Sequence, residues 1–441
     1  MSWRLLICAC CLLAGCASLD PWNLVGRHVV IGETPVGPLD VPAREKAFDF
    51  VWQTIDQRWL DPAMKGLDWQ AVAERYRPRA LAAPDDETFW RELDLMAAEL
   101  ADSHTRVESP RQYREIREFS GVSLGVRLFE RAGEVRVGGV SVGSEAWMAG
   151  LRPGARMLRI EGDEALDWWR RALDQARPGS TPQTRIGHVN RLFNAGKPGD
   201  RVAISFERSD GSRFETWLMR RRFSSPPGVR AMKLGSGIGY LRFSGFEETI
   251  RSRTLAELED LRDARGLILD LRDNGGGSVF FARALIEQFV SGEHRLAHVD
   301  TRNGKPVSLL FGLIDVLPSE LVIQGRRDPL RQPLVILVNA GSASAAELVA
   351  ASLQGLGRAH LVGETSCGCL LGYLGYAQIP GGGALAVSEF GYRLASGQQI
   401  EGHGLTPDEV IQPSLADLVS GRDPQYEAAL RWLEESLTLA R

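Results

Sequence analysis

The chain has 441 residues, a formal net charge of −4 and 44% hydrophobic residues. This length allows two to four domains and a sizeable hydrophobic core. Because no long run of one charge sign occurs, the composition argues against an extended basic surface, and we expect no nucleic-acid partner.

The N-terminus has the composition of a targeting signal. Residues 1–15 combine a short, weakly basic start with an apolar run that is too short to span a bilayer. The run ends in Leu13-Ala-Gly-Cys16, which resembles a bacterial lipoprotein signal in which Cys16 carries the lipid. Ala17, rather than Asp, follows the anchor and favours an outer-membrane location facing the periplasm. The alternative is an ordinary secretory signal with cysteines in it by chance.

Two segments of different composition follow the signal. Residues 16–41 are rich in Gly and Pro and are predicted to be a tether. In residues 42–115, apolar side chains recur mostly at three- and four-residue spacing, which predicts a small helical domain.

Residues 116–222 change to short alternating stretches with Gly and Pro at the turns, which predicts a β-rich domain. Within it, Ser141–Asp163 closely resembles the core of a PDZ domain, although Ala155 stands where that pattern usually has Asp. The resemblance implies that an extended peptide adds to a sheet edge and that a backbone nest holds its carboxylate. The predicted nest consists of Gly121, Val122, Ser123, Leu124 and Gly125. The alternative is a degraded PDZ domain that only packs as a lid, and 168–195 is predicted to be an insertion.

Residues 223–441 alternate strand and helix patterns. This order predicts a largely parallel sheet with helices on both faces, and Gly383–Leu394 is expected to add antiparallel strands. The whole chain is therefore predicted to be a multidomain α/β protein.

Ser344 lies between a strand pattern and a helix pattern. The apolar run Pro333–Val338 precedes it, and Ala345–Leu356 is predicted to be a helix. A serine at such a turn presents its hydroxyl beside the positive end of a helix, which suits a nucleophile. The alternative is a capping box, in which Ser344 and Glu347 only satisfy free N–H groups.

A Gly-rich turn, Asp273–Gly277, follows another predicted strand. Such turns leave backbone N–H groups free to face an anion. Gly275 or Gly276, together with the N–H of Ala345, would form an oxyanion hole beside Ser344. The chain contains no G-x-x-x-x-G-K-[ST] motif, which argues against an ATP site.

Two motifs together carry a resemblance to a known family. The motif D-L-R-x-N-G-G-G occurs at Asp270–Gly277, and G-S-A-S-A-x-E occurs at Gly341–Glu347. The chain resembles the S41 serine peptidases, the C-terminal processing or tail-specific proteases, which also carry a PDZ domain. The resemblance implies a ClpP/crotonase-like α/β protease domain with Ser344, rather than Ser342, as the nucleophile. A crotonase-like acyl-CoA enzyme is the less favoured alternative, given the envelope signal and the PDZ-like segment.

The general base differs from that of the processing proteases. In that branch a lysine in a G-E-x-T-x-G-K-G stretch activates the serine, whereas Cys369 stands at the lysine position here, and no lysine follows Lys305. A thiol of ordinary pKa is a poor base for serine. We interpret Cys367 and Cys369 as small buried residues, because a C-x-C pair could form only a tight, strained disulfide. Redox activity in an oxidising compartment is the alternative.

The pair Ser103-His104 resembles the catalytic pair of the tricorn core protease branch of S41. In that branch a glutamate near a late motif completes the set, and Glu401 occupies the matching place in Ile400–Asp408. The resemblance implies that His104 is the general base and that Ser103 and Glu401 hold the imidazole. His403 is the alternative base.

The sequence thus predicts a lipid-anchored serine endopeptidase of the bacterial envelope. Its expected partners are protein or peptide substrates and, through Cys16, the membrane; an adaptor lipoprotein is left open. No cofactor and no metal are expected, because no H-E-x-x-H or similar cluster occurs. The competing hypothesis is an inactive S41-fold scaffold that binds the C-termini of envelope proteins through its PDZ domain.

Overall fold

The computed structural model describes residues 38–309 and 313–439. The predicted signal peptide, Cys16 and most of the predicted tether lie outside the described residues. Within the described ranges, no helix is both long enough and apolar enough to cross a membrane.

The helices begin directly after the predicted tether. In chain order they are α1 (Val41–Arg58), α2 (Trp69–Leu81), α3 (Asp86–Ala98), α4 (Pro110–Arg117), α5 (Glu145–Met148), α6 (Ala165–Gln175), α7 (Pro182–Asn194), α8 (Glu248–Glu259), α9 (Val279–Ile286), α10 (Ala345–Gly355), α11 (Leu415–Ser420) and α12 (Pro424–Leu439). Short 3₁₀ helices occur at Met64–Gly66 and Glu287–Phe289.

The strands are mostly short. In chain order they are β1 (Arg106–Glu108), β2 (Ser120–Ser123), β3 (Val126–Arg131), β4 (Glu134–Val140), β5 (Arg156–Ile160), β6 (Asp163–Glu164), β7 (Arg201–Glu207), β8 (Arg213–Met219), β9 (Arg221–Ser224), β10 (Val229–Lys233), β11 (Gly239–Phe243), β12 (Leu267–Asp270), β13 (Gly292–Thr301), β14 (Val307–Leu309), β15 (Ile314–Leu317), β16 (Glu320–Gly325), β17 (Leu334–Val338), β18 (His360–Gly363), β19 (Leu371–Gly372), β20 (Ala377–Gln378), β21 (Ala384–Ala386), β22 (Phe390–Leu394) and β23 (Glu409–Val410).

The chain divides into two compact units. Among the described residues, unit 1 consists of 38–114, 292–309, 313–325 and 369–401, and unit 2 consists of 115–291, 326–368 and 402–439. This division cuts across the predicted peptidase region 223–441, because two segments within that region group with the N-terminal helices.

Unit 1 is built on α1, α2 and α3. Aspartates cap the starts of these helices: Asp40, Asp68 and Asp85 each accept a hydrogen bond from a first-turn N–H. The helices share one hydrophobic core with Val107 of β1 and Leu385 of β21. The helical pattern predicted from the spacing of apolar residues in this part of the chain is confirmed.

Among the described residues, three small sheets complete unit 1. One has the order β16-β13-β22-β19 with antiparallel pairing, another has the order β1-β21-β20, and the third is the antiparallel pair β14-β15. The antiparallel strands expected within Gly383–Leu394 are therefore confirmed as β21 and β22.

The central sheet of unit 2 has the order β10-β11-β12-β17-β18-β23. The pairs from β11 to β23 are parallel, and β10 is an antiparallel edge strand. Every residue of β12 and β17 is buried, as expected for strands of a parallel sheet. One face packs against α12 through Ala428, Ala429 and Leu433. The predicted largely parallel sheet is confirmed.

Unit 2 also contains a β-rich region between Ser120 and Ser224. Its main sheet has the order β3-β4-β5-β7-β8, so β3 is an edge strand, and β6 pairs with β5. The helices α6 and α7 pack on this sheet around one core, to which they contribute Trp169 and Phe193. Both helices lie in the predicted insertion 168–195 or directly next to it.

Part of the predicted carboxylate nest is a strand instead of an open turn. Gly121, Val122 and Ser123 belong to β2, which pairs antiparallel with β9. The N–H of Gly125 donates to the Ser123 hydroxyl at 2.9 Å. The backbone of these residues therefore has hydrogen-bond partners within the chain, and the peptide-binding role of Gly121–Gly125 stays a prediction.

Candidate active site

Ser344 lies in a strained turn between β17 and α10. Its φ of 55° and ψ of −118° place it outside the extended conformation that an ordinary N-cap residue adopts. A positive φ is costly for a residue with a side chain, and such strain concentrates at functional sites. A sharp strand-to-helix turn of this kind exposes the nucleophilic serine hydroxyl of α/β-hydrolases. The conformation therefore favours a nucleophile over a simple helix cap.

The carboxylate of Glu347 ties this turn to a neighbouring loop. Its Oε2 accepts the Ser344 N–H at 3.0 Å, and its Oε1 accepts the Ser366 hydroxyl at 2.5 Å and the Gly368 N–H at 2.7 Å. Glu347 is fully buried. The glutamate of the predicted capping box thus has a wider role, because it fixes both the Ser344 backbone and the loop after β18.

The Ser344 turn is also joined to the Gly-rich turn that follows β12. The N–H of Ala343 donates to the Asn274 carbonyl at 3.0 Å, and the Ser342 hydroxyl donates to the Leu271 carbonyl at 2.7 Å. Ser342 is fully buried, and its hydroxyl is used in this structural bond. Ser344 is therefore the better nucleophile of the two serines, as the motif predicts.

The structure separates the two candidate glycines of the oxyanion hole. Gly276 packs closely on Ser344, since a Cβ added there would lie 2.6 Å from the Ser344 Cβ. However, the Gly276 N–H donates to Asn274 Oδ1 at 3.0 Å. Because its N–H already has an acceptor, Gly276 fits the role of oxyanion donor less well than Gly275, the other predicted candidate.

Two other N–H groups fit that role. The N–H groups of Gly275 and Ala345 have no acceptor among residues 38–309 and 313–439. Ala345 is the first residue of α10, where intrahelical acceptors are missing and the helix dipole favours negative charge. Gly275 is exposed, and nothing lies within 4 Å of the space that a Cβ would occupy. This pair can donate to a developing oxyanion.

An ion-pair network anchors the strand end from which the Gly-rich turn departs. Arg272 contacts Asp270 at 2.8 Å and Asp423 at 2.8 Å, and Arg242 contacts Asp270 at 3.1 Å. Burial of Asp270 opposes its ionisation, but hydrogen bonding and charge from Arg272 and Arg242 hold the pKa of this carboxyl below its ordinary value. The D-L-R motif thus has a physical function that sequence reasoning did not identify.

In unit 1, Ser103 and His104 follow α3 in a turn built on Asp102. The Asp102 carboxylate accepts the His104 N–H at 2.8 Å, the Thr105 N–H at 3.2 Å and the Trp59 indole N–H at 3.1 Å. Burial opposes ionisation of Asp102, but the nearby His104 charge and several hydrogen bonds hold the pKa of Asp102 below its ordinary value.

Asp102 was missed at the sequence level. The sequence feature that could have indicated its role is an Asp directly before a polar turn. Such an Asp often accepts the backbone N–H groups two and three residues later, as in an Asx turn.

Aromatic and cationic side chains surround His104 within unit 1. The Tyr373 ring lies 6.2 Å from the His104 ring between centroids, and Arg106 Nη1 donates to the His104 carbonyl at 3.2 Å. Arg106 also donates to the Tyr376 hydroxyl at 2.5 Å, and burial raises the pKa of Tyr376. These contacts hold the backbone of His104 from one side and place an aromatic ring beside its imidazole.

Glu401 also lies in unit 1. Its Oε2 accepts the N–H groups of Leu370 at 2.6 Å and of Leu371 at 3.2 Å. The carboxylate therefore orients the chain directly after Cys369. Ser344 belongs to unit 2, so the role of His104, Ser103 and Glu401 as its catalytic partners stays a prediction, as does the rival role of His403.

Cys367 and Cys369 are buried, as predicted, and both are disulfide-bonded. Cys369 therefore carries no thiol that could act as a base at the position where the processing proteases have lysine. The backbone of Cys367 is held on both sides, since its N–H donates to the Ser342 carbonyl at 2.9 Å and its carbonyl accepts the Thr181 hydroxyl at 2.6 Å.

Comparison with protein-family models finds two matching regions. Residues 237–411 match the model of peptidase family S41, and residues 41–97 match the tricorn protease C1 domain. The first region contains the Gly-rich turn, Ser344 and Glu401.

Similar proteins cover almost the whole chain. The carboxyl-terminal-processing protease of Synechocystis sp. is 28% identical over 432 residues, which is 95% of this chain and 93% of that protein. Among solved structures, the photosystem II D1 C-terminal processing protease has a TM-score of 0.53 at 20% identity and covers 86% of this chain and 96% of that chain. Mature CPAF has a TM-score of 0.65 at 14% identity, with 90% and 97% covered. The structural likenesses establish a shared fold.

Proposed function

We propose that the chain, whose residues 237–411 match the model of peptidase family S41, is a serine endopeptidase that cleaves protein substrates through an acyl-enzyme at Ser344. The observation that carries the proposal is the Ser344 turn. A serine at positive φ stands at the start of α10, beside two backbone N–H groups without acceptors, those of Gly275 and Ala345. This combination supplies both a nucleophile and the donors that a tetrahedral intermediate needs.

The reaction follows from these groups. The Ser344 hydroxyl attacks the peptide carbonyl, and the carbonyl oxygen becomes an oxyanion that accepts the N–H groups of Gly275 and Ala345. One donor of this kind contributes about 3 to 4 kcal/mol to transition-state stabilisation in other serine peptidases. Collapse of the intermediate releases the amine and leaves the acyl-enzyme, which water hydrolyses.

We further propose that His104 moves the protons in both steps. It takes the proton from the Ser344 hydroxyl and gives it to the leaving amine. Three observations support this role of His104. They are the Ser103-His104 motif, the disulfide-bonded Cys369 at the position where the processing proteases have their lysine base, and the buried Asp102 carboxylate, which accepts the backbone N–H of His104. Ser103 and Glu401 are proposed to stabilise the charged imidazole.

The proposed setting is the bacterial envelope. Cys16 would carry a lipid anchor, and the peptidase would face the periplasm from the outer membrane. The relative from Synechocystis is named for processing carboxyl termini. We propose the same substrate class for this chain, namely proteins with an extended or unfolded C-terminal segment, recognised through the PDZ-like region 116–222.

A single labelling experiment tests the catalytic proposal. The purified protein is incubated with a fluorophosphonate probe and, separately, with unfolded casein. We expect labelling at Ser344 and cleavage of casein, both lost in Ser344→Ala and retained in Ser236→Ala, which changes an exposed serine. Absence of labelling together with absence of Ser344-dependent cleavage would support the inactive scaffold instead.

The envelope location has its own test. Growth with an alkyne fatty acid should label the wild-type protein but not Cys16→Ser, and the labelled protein should fractionate with outer membranes. Equal labelling of both proteins would contradict lipidation at Cys16.

A further inference from the structure

The edge strand of the β-rich region is occupied by side chains of the same chain. β3 pairs on one side with β4, and as the end strand of its sheet it has no neighbouring strand on the other side within residues 38–309 and 313–439. Such an edge presents unpaired N–H and C=O groups that a peptide strand can bind. Here the helix α7 lies along this edge instead.

Asn190 reproduces the hydrogen bonds of a strand residue. Its Oδ1 accepts the Leu128 N–H at 2.6 Å, and its Nδ2 donates to the Leu128 carbonyl at 2.9 Å. In an antiparallel sheet, two residues of a hydrogen-bonded pair exchange the same two bonds. The side-chain amide therefore stands in for the peptide group of an incoming strand.

Asn194 repeats the pattern one step along the edge. Its Oδ1 accepts the Val126 N–H at 3.3 Å, and its Nδ2 donates to the Val126 carbonyl at 2.7 Å. Four residues of helix rise about 6 Å, and two residues of strand span about 6.6 to 6.8 Å. The two asparagines of α7 thus match the spacing of the two outward-facing residues of β3.

The hydrogen-bonding groups of the turn before β3 also have partners from the same chain. The Ser123 hydroxyl donates to Asn194 Oδ1 at 2.9 Å and accepts the Gly125 N–H at 2.9 Å. This turn is where a peptide carboxylate would bind next to the edge strand. Both parts of the expected peptide site, the nest and the strand edge, are therefore filled from within the chain.

The helix is also held in this position by apolar contacts. Val189 and Phe193 of α7 are buried in the same core as Leu124, Val126 and Leu128. Asn190 and Asn194 each follow one of these buried residues, so packing of the helix brings both amides to the edge. Its placement does not depend on the four amide hydrogen bonds alone.

We propose that Asn190 and Asn194 keep the β3 edge, the expected binding surface for an extended peptide, closed until a peptide displaces them. The inference rests on the proposed recognition of extended C-terminal segments. It adds that a peptide must compete with the side chains of Asn190 and Asn194 for the β3 edge. Wild-type protein is therefore expected to bind peptides weakly at this edge.

Binding measurements on the full-length protein in detergent test the proposal. All variants carry Ser344→Ala, so that binding is measured without cleavage. The probe is a fluorescein-labelled peptide of ten alternating serine and valine residues with a free carboxylate, followed by fluorescence anisotropy. A second peptide, N-methylated at alternate residues, lacks the N–H donors that strand pairing requires.

The double change Asn190→Ala with Asn194→Ala should tighten binding of the unmodified peptide by about tenfold or more. Each hydrogen bond that the peptide no longer has to replace corresponds to about a two- to twelvefold factor in the binding constant. The N-methylated peptide should show no gain. Arg191→Gln, an exposed change between the two asparagines, is the matched control and should bind like the parent protein.

Hydrogen–deuterium exchange gives a readout without peptide. The amides of Val126 and Leu128 should exchange faster in the double variant and become protected again when the peptide is added. If the double variant does not fold, Asn190→Ala alone removes the two bonds to Leu128, and the same comparison is made at that amide.

Two results would overturn the proposal. One is a folded double variant that binds the peptide no more tightly than the parent protein. The other is tight binding by the parent protein that is equally tight for the N-methylated peptide, because the peptide would then not pair with the strand edge. Neither result depends on labelling of Ser344, so failure of this inference is distinguishable from failure of the peptidase proposal.

Discussion

Replacement of Glu347 by glutamine tests whether this buried carboxylate positions the nucleophile. In the wild-type protein its two oxygens accept two backbone N–H groups, from Ser344 and Gly368, and one hydroxyl, from Ser366. A glutamine amide offers one oxygen and one NH₂ group. Whichever way it is oriented, one of the two backbone N–H groups faces another donor.

The expected cost follows from these contacts. A buried donor left without an acceptor costs about 1 to 3 kcal/mol, and hydrogen bonds to a neutral amide are weaker than those to a carboxylate, so the total is about 2 to 4 kcal/mol. For a unit of this size, that corresponds to a fall in Tm of roughly 5 to 15 °C. Since Ser344 is held at positive φ, loss of its N–H bond should also misplace the hydroxyl.

The assay measures two quantities on the same preparation. Thermal unfolding reports the stability, and the second-order rate of fluorophosphonate labelling reports the position of the Ser344 hydroxyl. We expect labelling at 20 °C to slow by about ten- to hundredfold. Glu435→Gln, on the exposed face of α12, is the matched control and should change neither quantity. A Glu347→Gln protein with Tm within about 1 °C and labelling within about twofold of wild type would refute this reasoning.

Four further outcomes are expected. Gly276 has a φ of +87°, and in Gly276→Ala the new Cβ would lie 2.6 Å from the Ser344 Cβ, so the rate of fluorophosphonate labelling should fall by about a hundredfold. Unchanged labelling in a folded variant contradicts the close packing. Wild-type kcat/KM should rise between about pH 6 and 7, where imidazole ordinarily titrates, and His104→Ala should abolish cleavage; retained activity excludes His104 as the base. Asp102→Asn should lower kcat more than it raises KM, and an effect on KM alone contradicts a positioning role. The pKa of Asp270 is depressed in the folded protein, so the contribution of its carboxylate to stability is complete above the ordinary carboxyl pKa and is lost as pH falls through the folded-state pKa. The Tm difference between wild type and Asp270→Asn should therefore shrink below about pH 4. A Tm difference that stays constant with pH contradicts the ion-pair account.

The sequence was sufficient to place Ser344 at a strand-to-helix turn. A buried apolar run, a short polar turn and a helix pattern around Ser344 depend only on residues close in the chain, and the structure forms β17, the turn and α10 in that order. The parallel sheet followed from the same kind of local pattern. What the motif did not reveal was the φ of Ser344, which distinguishes a strained turn from an ordinary cap.

The sequence could not show which of two neighbouring backbone N–H groups is available as a hydrogen-bond donor. Gly275 and Gly276 are equivalent in a Gly-rich motif, but only the folded turn shows that the Asn274 side chain accepts the N–H of Gly276. The role of Asp102 was similarly hidden, because the Trp59 that shares its carboxylate lies 43 residues away in the chain.

The sequence by itself determined the chemistry that is available: a serine at a strand-to-helix turn, a Gly-rich turn, and a cysteine where a related branch has lysine. Tertiary structure decided which backbone and side-chain groups lack a hydrogen-bond partner and so can take part in that chemistry. The β3 edge shows the physical reason, since its N–H and C=O groups are filled by asparagines 62 and 68 residues later in the chain. Local patterns specify which hydrogen-bonding groups an element presents, whereas packing of distant elements decides which of them already have partners.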